Sequence, residues 1–146
     1  MVQRLLDSSQ RGWDWFSVQL DSGADLMLFE LRRSDGSIDP YSSGTYVAPD
    51  GRATHLKRSD FELTPAAWWI SPKTGARYPV KWRITIPAWK VALECAVAVP
   101  DQELAADARE SAAGSPSYWE GAVTYSGSSA GAGYLEMTGY AGPVGR

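Results

Sequence analysis

Clusters of turn-forming residues interrupt this chain roughly every 8–12 positions, a spacing that leaves room for short strands but for no long helix. The clearest are Asp21-Ser22-Gly23, Ser34-Asp35-Gly36-Ser37, Pro49-Asp50-Gly51 and Lys73-Thr74-Gly75. Each joins a polar side chain able to bond its own backbone with a glycine that accepts left-handed φ. Between the breaks, apolar residues recur with period two, the period of a half-buried strand. Trp13, Trp15, Ser17 and Gln19 fall on one face of their segment, and Asp14, Phe16, Val18 and Leu20 on the other. Val80, Trp82, Ile84 and Ile86 likewise oppose Lys81, Arg83 and Thr85, and Leu93, Cys95 and Val97 oppose Glu94 and Ala96.

Further strands are expected at 25–33, 44–48, 54–56, 61–64 and 68–70, with Pro65 interrupting between the last two. A closing hairpin pairs 118–123 with 133–140. Residues 101–117 read as irregular, with at most one helical turn from Asp101-Gln102-Glu103-Leu104, because Gly114 and Pro116 stop anything longer. The class is all-β: about eight to ten antiparallel strands with little helix, as a sandwich or an up-and-down barrel. Closure protects strand edges, so a closed barrel is the preferred form. Residues 1–12 read as a lead, 13–140 as one barrel domain and 141–146 as a tail.

At 146 residues the chain is long enough for one domain with a real core. Its net charge of −3 offers no basic footprint to nucleic acid. A single cysteine, Cys95, excludes an internal disulfide, and its apolar run reads as a buried strand. The lone His55 leaves no metal set and no catalytic triad, so no metal or other cofactor is expected. No stretch approaches the roughly 20 apolar residues of a membrane span. Met1 to Leu6 is too short in its apolar part for a signal peptide, and the compartment stays open. Seven Trp and seven Tyr against three Phe are the unusual numbers. Rings with a polar atom suit either a partly polar pocket or an aromatic-rich core.

The closing hairpin carries two acids inside strands, which is costly unless they face water, pair, or line a site. Pairing across its Ser/Gly loop would set Glu120 opposite Thr138 and Ala122 opposite Glu136. Tyr118, Glu120, Glu136, Thr138 and Tyr140 then share one face, and Trp119, Val123, Leu135 and Met137 the other. Either the acid face points inward, where burial would raise a carboxyl pKa, or it points to solvent while Trp119, Leu135 and Met137 form core.

Several segments together resemble the lipocalin-like family of AttH and carotenoid 1,2-hydratase. They are Gly12-Trp13-Asp14-Trp15-Phe16-Ser17, Asp35-Gly36-Ser37-Ile38-Asp39-Pro40 and Ser71-Pro72 through Gly75-Ala76-Arg77-Tyr78-Pro79. Asp101-Gln102-Glu103-Leu104 and Tyr118-Trp119-Glu120-Gly121 with Gly139-Tyr140 complete the set. The resemblance covers about residues 5–141 and concerns the C-terminal of two tandem barrels. It implies a lipocalin-like barrel, a small apolar ligand of isoprenoid or polyketide type, and hydratase, cyclase or isomerase chemistry without a cofactor. In that family the interface between the barrels covers apolar surface, so the resemblance implies either a natural single barrel that covers it otherwise, as in a homodimer, or a fragment whose N-terminal barrel is missing from this sequence.

On these readings the acid candidates are Glu120, Glu136 and Asp39, the last in a loop of the kind that carries function at barrel mouths. Asp39 before Pro40 reads equally as a turn acid. Ligand-lining candidates are Trp13, Trp15, Tyr41, Trp82, Tyr118, Trp119 and Tyr140, whose π faces suit a cationic intermediate or simply core packing. If Trp13 and Trp15 line the pocket, Asp14 points away from it.

Overall fold

The computed structural model of the protein describes residues 10–114 and 116–141, so most of the expected lead and tail lie outside the described residues. Ten strands follow in order: β1 (Gln10–Leu20), β2 (Asp25–Arg33), β3 (Ser43–Val47), β4 (Ala53–Lys57), β5 (Glu62–Ile70), β6 (Arg77–Ile86), β7 (Val91–Val97), β8 (Glu103–Leu104), β9 (Tyr118–Gly127) and β10 (Gly131–Thr138). They form one antiparallel sheet in the order β4-β3-β2-β1-β10-β9-β7-β6-β5, with β8 on β9. The sheet curls into a lipocalin-like half-barrel.

Closure stops one ladder short. β4 and β5 are the two edges, joined in sequence through the 3-10 turn Arg58–Asp60, and no ladder pairs them among the described residues. Pro65 does not interrupt its strand, contrary to expectation, because β5 is an edge and one of its sides needs no donor. The irregularity appears in the pairing, where the register to β6 shifts between Pro65 and Ala67 and again before Trp68.

The concave side holds the core. Phe16, Val18 and Leu28 of β1 and β2 meet Trp82 and Ile84 of β6, Leu93 of β7 and Leu135 of β10, all essentially unexposed. Phe16 and Trp82 pack edge to face at 5.1 Å, a geometry worth about 0.5–1.5 kcal/mol beyond the area buried. Cys95 lies buried there as expected, and burial pushes its thiol up to about 12, so it packs as a neutral residue.

Residues 101–117 are more ordered than expected. Glu103 and Leu104 pair with Trp119 and Tyr118, so this motif is a strand and not a helical turn. The helix comes later, as α1 (Ala108–Ala112), opened by Asp107. Its carboxylate accepts from the Glu110 N–H at 2.7 Å while Glu110 accepts from the Asp107 N–H, a reciprocal cap.

The closing hairpin is tighter than expected, with β9 and β10 extending to Gly127 and Gly131. Its register therefore differs: Glu136 lies opposite Glu120 and Tyr134 opposite Ala122, while Thr138 lies opposite Tyr118. An even slip keeps each paired side chain on its face, so the expected segregation of the two faces survives as far as Thr138. No helix among the described residues is long and apolar enough to cross a membrane.

Candidate functional site

The hairpin acids do not face the interior. Trp119, Val123, Leu135 and Met137 turn into the core, so Glu120 and Glu136 lie on the outer face, half-buried. Trp13 and Trp15 share that outer face, since Trp13 pairs with Thr138 and Trp15 with Glu136. Asp39 is buried in a turn, where its Oδ1 accepts the Tyr41 N–H at 2.8 Å and Arg33 lies 3.6 Å from its Oδ2. Tyr41 is 83% exposed and lines nothing enclosed. Trp82 and Trp119 are buried core residues whose indole N–H groups donate to the carbonyls of Pro79 and Pro100. Tyr140 aside, the sequence candidates thus lie in three separate places.

Tyr140 departs from its expected face. Gly139 takes φ +89° and breaks the strand alternation, so Tyr140 leaves the side of Glu120. Its hydroxyl donates instead to Asp14 Oδ1 at 2.8 Å on the interior side.

Asp14 is the centre of the structure's main interior polar cluster, and it is fully buried. The alternation that turns Phe16 and Val18 inward turns Asp14 inward too, which puts Trp13 and Trp15 outside and inverts the sequence expectation. Directly opposite on β2 stands Glu30, 5% exposed. Two residues on, Arg32 donates from Nε to Asp14 Oδ2 at 3.0 Å and from Nη2 to the Thr138 carbonyl. Its guanidinium also lies over the Tyr140 ring, 3.9 Å from the centroid. Gly12 makes this approach feasible, because a Cβ there would meet the Thr138 oxygen at 2.1 Å.

The electrostatics divide the two carboxyls. Burial first, then the Asp14 charge and its hydrogen bond, push Glu30 up to about 9, against weaker opposing pulls from Arg32 and Arg58. Glu30 is therefore a neutral acid at pH 7 that donates to Asp14. Burial alone would lower Arg32, but the hydrogen-bonded Asp14 beside it raises it above its ordinary value. Burial and the Asp14 carboxylate keep the Tyr140 phenol protonated.

An aromatic row abuts this cluster. Trp69 of β5 stacks with Tyr78 of β6 at 6.2 Å, and Tyr78 meets Tyr140 at 5.5 Å. Beyond it, Glu103 accepts hydrogen bonds from Tyr78 (2.8 Å), Thr74 (2.6 Å) and Ser71. This cluster pins the turn after β5 to β8 and explains why 71–78 and 101–104 form recognisable words: they meet in space.

Asp14 and Glu30 were legible as a signal, since each stands in phase with apolar neighbours of its own strand. That signal identifies inward acids but not their pairing, which depends on the β1–β2 register. Elsewhere, a shallow depression of about 300 Å³ on the outer face of β6, β7 and β9 is lined by Arg83, Thr85, Glu94 and neighbours, away from both groups of acids. Among the described residues no group of three or more His, Cys, Asp or Glu is arranged to hold a metal ion.

Comparison with known proteins accords with this architecture. No curated protein matches the chain. A crystal structure of a candidate AttH from Nitrosomonas europaea is 36% identical, with a TM-score of 0.80 over 92% of this chain. The chain spans 40% of that protein's length. The AttH-like family profile matches residues 2–140, nearly the whole sequence, and so the chain belongs to the AttH-like family.

Proposed function

We propose that the interior end of this half-barrel binds a small apolar ligand, of isoprenoid or polyketide type, with Glu30 as the proton donor to it. The observation that carries the reading is the carboxyl of Glu30, buried and kept neutral beside a charged Asp14. A buried carboxyl pair is costly to stability, and such a cost concentrates where chemistry uses it. Glu30 takes the acid role that the sequence offered to Glu120, Glu136 and Asp39, because it faces the interior, whereas Glu120 and Glu136 lie on the outer face and Asp39 is engaged by the Tyr41 N–H and Arg33 in its own turn.

In this reading the Glu30 O–H gives its proton to a polarised double bond of the ligand. The cation so formed lies against the faces of Tyr78, Tyr140 and Trp69. Capture by water, or loss of a neighbouring proton, returns a proton to the Glu30 carboxylate and closes the cycle as hydration or isomerisation. Arg32 and Tyr140 hold Asp14 in place through hydrogen bonds to its two oxygens.

A second reading has its own support. Phe16, Trp82, Ile84, Leu93 and Leu135 fill the middle of the half-barrel, which suits a structural module packed with side chains. The discriminating experiment titrates a neutral apolar probe such as N-phenyl-1-naphthylamine while following tryptophan fluorescence, then assays isoprenoid alkenes and enol substrates with Glu30→Gln. Saturable binding with turnover lost in the variant supports the donor role. Unchanged turnover removes Glu30 from the chemistry, and failure to bind any apolar probe leaves the filled module.

A further inference from the structure

The sheet has two free edges, and they differ. β5 is the longer, with nine residues that meet a ladder only through β6. On its other side the backbone N–H and C=O groups have no strand to bond among the described residues. A row of such groups is a template for a further strand. No residue of β5 is fully buried. Leu63 and Trp69 pack against the core yet stay half-buried, while Trp68 and Ile70 on the opposite face are 43% and 64% exposed. A strand laid along this edge would bring both faces their missing neighbours.

Charge distinguishes the two edges. From Leu63 to Ile70 the chain carries no ionisable side chain, whereas β4 is five residues long, contains Lys57 and lies between Arg52 and Arg58. Charged side chains are a usual protection of an edge. Pro65 withholds one donor from β5 but keeps its carbonyl as an acceptor. The order of side chains then points to a partner. Antiparallel pairing of β5 with itself about Ala66 sets Thr64 opposite Trp68 and Leu63 opposite Trp69, with the small Ala66 facing itself at the axis. Glu62, which makes no ion pair among the described residues, falls opposite Ile70, and Arg77 stands beside Ile70 on β6. The acid of each copy thus lies near a cation of the other.

We propose that β5 pairs antiparallel with β5 of a second copy of this chain, about a two-fold axis at Ala66. Two half-barrels are then joined through one continuous sheet, and both uncharged edges are covered at once. A head-to-tail contact of β5 with β4 fits worse, because each copy would present a further free edge and the contact would repeat without closing. The contact is independent of the interior acids.

The test uses the full chain and follows its mass by light scattering and sedimentation across the micromolar range. The expected result is a reversible dimer. Ala66 is exposed, so Ala66→Lys and Ala66→Glu should fold as the parent does, which thermal unfolding checks. Each sets like charges face to face across the axis and should weaken the dimer about five-fold or more. An equal mixture of the two should recover the parental affinity, because lysine then faces glutamate. Ala66→Cys should oxidise to a covalent dimer, since opposed residues of an antiparallel ladder lie within disulfide reach, and the buried Cys95 does not compete. A parent that stays monomeric overturns the proposal and leaves the edge to a strand of another protein. A dimer that neither charge weakens overturns it in favour of a different face. Weakening by both charges without recovery in the mixture, or absence of the cross-link, overturns the axis at Ala66.

Discussion

Glu30 and Asp14 stand opposite one another on β2 and β1 with both side chains inside the half-barrel, and burial first, then the neighbouring Asp14, keeps Glu30 neutral. The two carboxyls, with Arg32 bonded to Asp14, place a strongly perturbed acid, Glu30, on the interior face. The pair makes stability depend on pH in a direction opposite to that of a salt-bridged acid.

Folded Glu30 keeps its proton to about pH 9, whereas the unfolded carboxyl loses it near 4.5. Between those values the folded state binds more protons, so stability must fall as pH rises. The contribution is full below 4.5 and gone above 9, with a slope of up to about 1.4 kcal/mol per pH unit. Glu30→Gln, an isostere of the protonated acid, should flatten this slope and be more stable than the parent at pH 8. Urea midpoints at pH 5, 6, 7 and 8 measure it, and parallel curves for both proteins would refute the assignment.

Arg32 joins three strands, reaching Asp14 of β1 and the Thr138 carbonyl of β10 from β2. Arg32→Met leaves the buried Asp14 without its ion-pair partner, which should cost about 3–5 kcal/mol. Adding Asp14→Asn removes the unpaired buried carboxyl and should recover part of the loss. A double-mutant cycle by chemical denaturation reads this, and strictly additive losses would mean that the pair is not coupled.

Gly12 is close to the backbone of β10, with the Thr138 oxygen 2.1 Å from where its Cβ would sit. Gly12→Ala must push β1 from β10 and should destabilise by about 1–3 kcal/mol. The same displacement should weaken the Tyr140–Asp14 bond. Tyr140 hydrogen exchange and thermal unfolding check both, and a variant of parental stability would show that the two strands can part without strain.

Glu103 accepts from Ser71, Thr74 and Tyr78. Glu103→Ala leaves those hydroxyls without their acceptor, at a cost of about 2–4 kcal/mol. Glu103→Gln keeps one acceptor oxygen and should lose less. Because the Gly75 N–H bonds the Ser71 carbonyl within the pinned turn, its amide exchange should quicken selectively in the alanine variant. Uniform quickening along the whole chain would instead mark a general loss of stability.

Sequence reasoning recovered strands such as β2 to the residue, because turn chemistry and period-two alternation are local properties. It also segregated the closing hairpin into its two faces. Pro65 and the 101–104 segment were misread because edge position and pairing with β9 are not local. Tyr140 was misplaced because one left-handed glycine, Gly139, reverses the alternation that the prediction assumes to continue.

The sequence by itself determined the class of fold, the strands and which residues share a face, since backbone geometry and burial period set these over a few residues. Only the tertiary structure decided which face is inside. The half-barrel can enclose one side alone, and the bulk of Phe16, Trp82, Leu135 and Trp119 takes it. That choice carried Asp14 and Glu30 inward with their neighbours, left Glu120 and Glu136 outside, and so moved the candidate acid from the closing hairpin to the first one.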